Sequence, residues 1–338
     1  MVRARSVAYQ VLVVGAVLAA LYAVVFITKA AGSSVTISWQ PLFNGLAEGA
    51  IYAALALALV LIFQATDVIN FGQGEMATFT AFIAWSFIHP SGKDAWFHFI
   101  GNSTLEFIAG CAATLVIAAV LGAVVERLVI RPIERAPILT IVIVTLGLFE
   151  IFNSASNFIW QSQPKAFPTP FTGSAFHLGS VSVGRPQVGL FVVVLVMMAL
   201  IGLLFQRTKL GLALRATAQN PAAARLMGVP VSTMLMVGWA LATMVGALAG
   251  ILIANIVTID PNLMLGPLLF AFAGLVLGGV DSAMAAVIGG LLVGIIKNVI
   301  GTTDAFKEIT IPVAFIVILI VLVIKPSGLL GRAAVKKV

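Results

Sequence analysis

Polar breaks cut this chain into a succession of apolar runs, many of them near the length that crosses a bilayer. Crossing ~30 Å of hydrocarbon takes roughly 20 helical residues, and only helices or closed barrels satisfy their backbone hydrogen bonds there. Ten runs can be read, near 10–28, 44–63, 74–88, 104–126, 138–160, 187–205, 231–255, 264–280, 284–299 and 310–325, several of them shorter than ideal. The expected fold is all-α, a polytopic membrane helical bundle of about ten transmembrane helices forming one domain over 1–338. Composition agrees: 61% of the residues are hydrophobic and 9% charged, a balance that excludes a water-soluble domain of this length.

Ten crossings place both termini on one side. If that side is the cytoplasm, it holds 13 of the 19 Lys and Arg: Arg3, Arg5, Arg127, Arg131, Arg135, Arg207, Lys209, Arg215, Arg225, Lys325, Arg332, Lys336 and Lys337. The positive-inside rule favours this orientation, with cytoplasmic termini, over its inverse. The net charge of +7 then reports topology and not nucleic-acid binding. The basic MVRAR start and the apolar run behind it also fit a signal peptide. Cleavage would leave an odd number of spans and move the basic C-terminal tail outside, so 1–30 is read as the first span.

Close helix packing is legible in four glycine pairs spaced four apart: Gly45 and Gly49, Gly246 and Gly250, Gly274 and Gly278, Gly290 and Gly294. GGVDS at 278–282 supplies glycines to end one helix and Asp281 or Ser282 to cap the next, which makes a tight hairpin. The longest outer loop, 161–186, holds three prolines followed by Gly, Ser and β-formers, and is expected to form a small periplasmic surface cap.

One segment breaks the apolar pattern without reading as slack loop. Between 206 and 230 stand Arg207, Lys209, Arg215 and Arg225, which at roughly 2.5–3.5 kcal/mol each exclude it from the bilayer core. Asn220 is a good N-cap, Pro221 suits the first helical position, Gly228 suits a left-handed C-cap and Pro230 stops continuation. These signals specify a helix over 221–227, flanked by a second over 210–219, with Ala222, Ala223 and Ala224 expected to keep its surface smooth for a partner protein. The bland alternative is a basic loop that only fixes topology.

Chemistry of other kinds finds little support. Cys111 is the sole cysteine and sits in an apolar run. His89, His98 and His177 lack the i, i+4 spacing of a helical metal pair, and there is no phosphate-cradling G-x-x-x-x-G-K-[ST] motif. No metal, cofactor or catalytic group is expected, and any ATP that drives transport must be hydrolysed by another chain. Candidates for a translocation pathway are the polar residues in or beside spans: Asn44 and Glu48 near the outer end of the second, and Asn70, Gln73 and Glu75 at its inner junction. Snorkelling or capping at helix ends accounts for both groups equally well. The glycines of FGQG permit an unwound turn between the second and third spans.

Three ordered motifs resemble one family. LRATAQNPAAARLMGV at 214–229 looks like the cytoplasmic loop of the permease subunits of branched-chain amino-acid ABC importers. NGLAEGAIYAALALALVLIFQATDVINFGQGEM at 44–76 is similar to the N-terminal signature of that family, and AFAGLVLGGVDSAMAAVIGGLLVGIIKN at 271–298 to its late glycine-rich helices. The resemblance covers about 40 to 325. It implies a multi-pass subunit of the bacterial inner membrane, surrounded by lipid, that pairs with a similar or identical second permease. It further implies two cytoplasmic ATPase subunits, a periplasmic substrate-binding protein and no nucleic acid. The family's coupling helix falls within 211–229, with Arg215, Ala216, Asn220, Ala223, Ala224 and Gly228 at its recurrent positions. Lys297 and Asn298 depart from the family's pattern, in which an acidic residue is common near this point. Lys297 either snorkels to the outer interface or turns specificity from ordinary amino acids toward a carboxylate-bearing or neutral substrate. The substrate expected is a branched-chain or hydrophobic amino acid or a related small polar solute, with urea, short-amide, carboxylate and sugar permeases as neighbours. A secondary transporter or channel is the rival class.

Overall fold

The computed structural model describes residues 39–66, 68–88, 103–134, 136–169, 173–178, 181–280 and 282–301, with 312, 315, 316, 319, 323, 325 and 328–330. Its helices in chain order are α1 Gln40–Thr66, α2 Gln73–Ile88, α3 Ser103–Val125, α4 Ile138–Trp160, α5 Arg185–Arg207, α6 Lys209–Gln219, α7 Pro221–Leu226, α8 Val231–Ala254, α9 Leu265–Gly278 and α10 Ala283–Ile300. Two strands, β1 Phe176–Leu178 and β2 Val181–Val183, pair antiparallel with Phe176 opposite Val183. This small hairpin lies within the loop 161–186 and corrects the purely helical expectation. Among the described residues six helices are long and apolar enough to cross a membrane, whereas α9 is a shorter apolar helix and α2 has 16 residues. The expected span at 10–28, most of that at 310–325, both basic termini and Asp281 lie outside the described residues, so ten crossings and cytoplasmic ends stay expectations.

The chain divides into two compact units. The first gathers residues 1–56, 173–191 and 270–338, and the second 57–172 and 192–269. In the first, the glycine pairs act as read. A Cβ on Gly45 would stand 2.7 Å from the Ile295 Cα, and one on Gly274 equally close to the Gly290 Cα. Such distances exclude any side chain, so α1 and α9 each press their backbones onto α10. Ser282 caps α10 by accepting from the Ala285 N–H.

The second unit is organised around α8, against which both α2 and α3 pack. Trp239 and Thr243 of α8 are buried, and Gly250 brings α8 so near α2 that a Cβ there would meet the Ala77 carbonyl at 2.6 Å. In the apolar stretches of α4 and α5 only 22% is buried. Their outward Ile143, Ile151, Val196 and Leu200 are exposed hydrophobics, as expected of surfaces facing lipid or a membrane partner.

Candidate functional site

In the second unit, α6 and α7 form a rigid projection from the start of α8. The Asn220 side chain accepts from the Ala223 N–H, so it caps α7 as its sequence position foretells. Gly228 adopts φ +79°, and the bonds from Gly228 N–H to the Arg225 carbonyl and from Val229 N–H to the Ala224 carbonyl close the helix in a Schellman motif. Thr208 caps α6 by accepting from the Gly211 N–H, a cap that sequence reasoning missed.

The surface of this projection differs from expectation. Ala224 is only 4% exposed and packs with Val231 and Leu235, against which Ala65, Ala216 and Val229 also lie. Ala224 therefore anchors α7 from beneath instead of smoothing its surface. Ala222 and Ala223 are exposed, and so are Leu226 at 89% and Met227 at 83%. Two bare apolar side chains at the tip went unremarked in the sequence, although their position beside the cap at Gly228 signals that they point away from α8. Arg215 is exposed, and Arg225 stands 3.9 Å from Glu134.

Asn70, Gln73 and Glu75 are not at an interface. All three are buried, with Glu75 1% exposed. The chain is non-helical over 68–72, where the Asn70 side chain accepts from the Gly72 N–H, and the Gln73 amide donates to the Ala242 carbonyl, halfway along α8. The break thus lies level with the middle of α8. The glycine-bearing link expected between the two helices includes a turn at 71–72, closed by the bond from Gln73 N–H to the Asn70 carbonyl. Irregular backbone at such depth is tolerated where protein side chains satisfy it. Glu75 accepts from the Asn153 amide of α4 at 3.2 Å, and the same amide reaches the Pro261 carbonyl and the Asn262 side chain. Asn153 and Asn262 were not anticipated.

In the first unit, Lys297 does not snorkel. Its Nζ lies 2.5 Å from Glu48 Oε2 and 3.1 Å from the Tyr52 hydroxyl, which itself donates to Glu48 Oε2 at 3.1 Å. The ammonium also stands 5.3 Å from the Phe270 ring, which stacks on Tyr52. Asn44, one turn from Glu48, accepts from Gln40 at 2.9 Å and from Gln187 at 3.4 Å. Asn298 turns away and donates to the Gly294 carbonyl of its own helix. The i, i+4 series Gln40, Asn44, Glu48, Tyr52 was readable in the sequence; only its first and last members were overlooked.

Comparison with known proteins relates the chain to membrane transport permeases. The family described as "Branched-chain amino acid transport system / permease component" matches residues 41–323. The high-affinity branched-chain amino acid transport system permease protein BraD of Pseudomonas aeruginosa is 29% identical over 311 residues, covering 88% of this chain and 97% of that protein. The LivH permease of the same description from Escherichia coli is 27% identical over 309 residues, with the same coverage. The ribose import permease protein RbsC of Escherichia coli is 26% identical over 297 residues, 83% of this chain and 84% of that one. No solved structure gives a significant match. A match over this much of the chain means that the protein, with six helices among the described residues long and apolar enough to cross a membrane, belongs to the branched-chain amino acid transport system permease family.

Proposed function

We propose that this permease forms the channel of an ATP-driven importer, working with two cytoplasmic ATPase subunits, a second permease subunit and a periplasmic binding protein. The observation that carries this reading is the α6–α7 projection: doubly capped, seated on α8 through Ala224, and bare at Leu226 and Met227. Capping makes the projection stiff enough to transmit displacement, and two exposed apolar side chains beside cations suit a partner's cleft. ATP-driven closure of the partner would push α7, and α7 would bias the bundle between two states through α8.

The substrate assigned here is a branched-chain or other apolar amino acid. The ribose-importing relative makes a sugar the neighbouring possibility, while an exchangeable charge pair at Glu48 and Lys297 favours a substrate with both charges. Replacing Leu226 and Met227 by Glu tests the docking role. The double variant is expected to insert normally and lose ATPase co-purification, because truncating interface anchors typically costs about 2 kcal/mol or more. Full co-purification with unimpaired uptake would reject the docking role.

A further inference from the structure

Ionised groups within a span must face water or protein, since hydrocarbon solvates neither partner. Glu48 and Lys297 keep 39% and 29% of their side chains exposed, although the apolar stretch of α1 is 83% buried. Leading to them is the polar stripe of α1, with Gln40, Asn44 and Glu48 half-buried and Tyr52 buried. From Gln40 to Tyr52 this stripe covers roughly 18 Å of helix. It begins against the β hairpin, where Gln40 donates to the Ser182 carbonyl and accepts from the Ser182 N–H. It ends on rings, with Tyr52 stacked at 5.1 Å on Phe270 and Phe270 at 6.2 Å from Phe315. Among the described residues, every bond to the Glu48 carboxylate falls on Oε2.

Taken with the importer reading, on which it rests, the geometry points to a receiving site for a zwitterionic α-amino acid with an apolar side chain. Lys297 takes the substrate carboxylate, Glu48 its ammonium group, and the Tyr52–Phe270 wall its side chain. Without substrate the two residues satisfy each other, and an entering zwitterion replaces both contacts with no change in net charge. A sugar offers neither charge, and a carboxylate lacking an amine would leave Glu48 unpaired. The lysine that departs from the family pattern is thus one half of a matched receptor and not an argument against amino acids.

The test uses the complete importer in proteoliposomes, with ATP inside and labelled leucine supplied with the binding protein. Exchanging both members of an ion pair for uncharged residues of similar size generally leaves folding intact. Glu48→Gln with Lys297→Met is therefore expected to assemble normally while leucine uptake falls about tenfold or more, the loss of two charge-assisted contacts. Unchanged uptake would overturn the inference by making the pair structural, and dissociation of the second permease would overturn it by making the pair an interface. Should the double variant fail to fold, Asn44→Cys in a Cys111→Ser background leaves the pair whole. A membrane-impermeant thiol reagent added outside is expected to label the introduced thiol, and absence of labelling overturns the inference because the stripe would then be sealed from water. A wild-type complex that moves no amino acid overturns the importer's substrate reading together with this one, whereas active wild type beside an equally active double variant overturns this one alone.

Discussion

Glu48 and Glu75 are carboxylates in two apolar helices, α1 and α2, and they are accommodated in opposite ways. Glu48 is partly open and answered by a cation and a hydroxyl, and the cation itself stands over two rings. Glu75 is buried in the first turn of α2, accepts from the Asn153 amide, and leaves Oε1 without a partner among the described residues. Its compensation is the positive end of α2, whose first amide groups have no intrahelical acceptor. A buried carboxylate can thus be held by a helix terminus and an amide, whereas a partly open one is held here by a counter-charge. The first arrangement is enclosed by protein; the second keeps 39% of the Glu48 side chain exposed.

The same substitution at both sites separates the two designs most sharply. Glu75→Lys buries a cation against the positive helix end, at a cost of about 3–5 kcal/mol, and is expected to abolish recovery of monodisperse protein in detergent. Glu48→Lys places two ammonium groups in a half-exposed setting, where screening holds the loss to about 1 kcal/mol, so folded protein should still be recovered. Equal yields from the two variants would remove the distinction. A smaller effect than Glu75→Lys is expected from Asn153→Leu, which strips the Glu75 donor and should lower stability by about 1–3 kcal/mol. Thermal unfolding in detergent measures it, and adding Glu75→Gln should recover part of the loss because a neutral amide is less costly to bury unpaired.

These two sites also mark how far the sequence could be read. Bounds of α4 and α8 follow from their apolar length, and α7 follows residue by residue from Asn220, Pro221 and Gly228, because capping is a local matter. The facing of Gly45 and Gly49 onto α10 was legible as close packing but not as a partner, since spacing names a groove and not what fills it. The depth of Gln73 was not legible. An apolar pattern shows that one run ends near 63 and another begins near 74, but only the bond to Ala242 reveals that the link between them packs against the middle of α8. Lys297 meeting Glu48 across 249 positions of sequence was equally hidden, and a lysine near a helix end reads as snorkelling until its partner is seen. Ala224 was misread because three consecutive alanines look alike, while a helix of less than two turns must bury one of them to stay attached.

The smallest expected effect concerns the rings beside Lys297. If Glu48 dominates the ammonium's environment, Phe270→Leu removes only a cation–ring attraction and a stacking contact, together about 1 kcal/mol or less at a half-exposed site. Thermal unfolding of Phe270→Leu, Lys297→Met and the double variant forms a cycle that isolates the ammonium–ring contribution from the packing of Phe270 on Tyr52 and Phe315. A coupling of about 0.5 kcal/mol is expected. Zero coupling, with Phe270→Leu alone costing several times as much, would mean that the ring is core packing and that the cation is held by Glu48 and Tyr52 only. That outcome would narrow the open site to its charges and sharpen its contrast with Glu75, where among the described residues no cation is paired with the carboxylate.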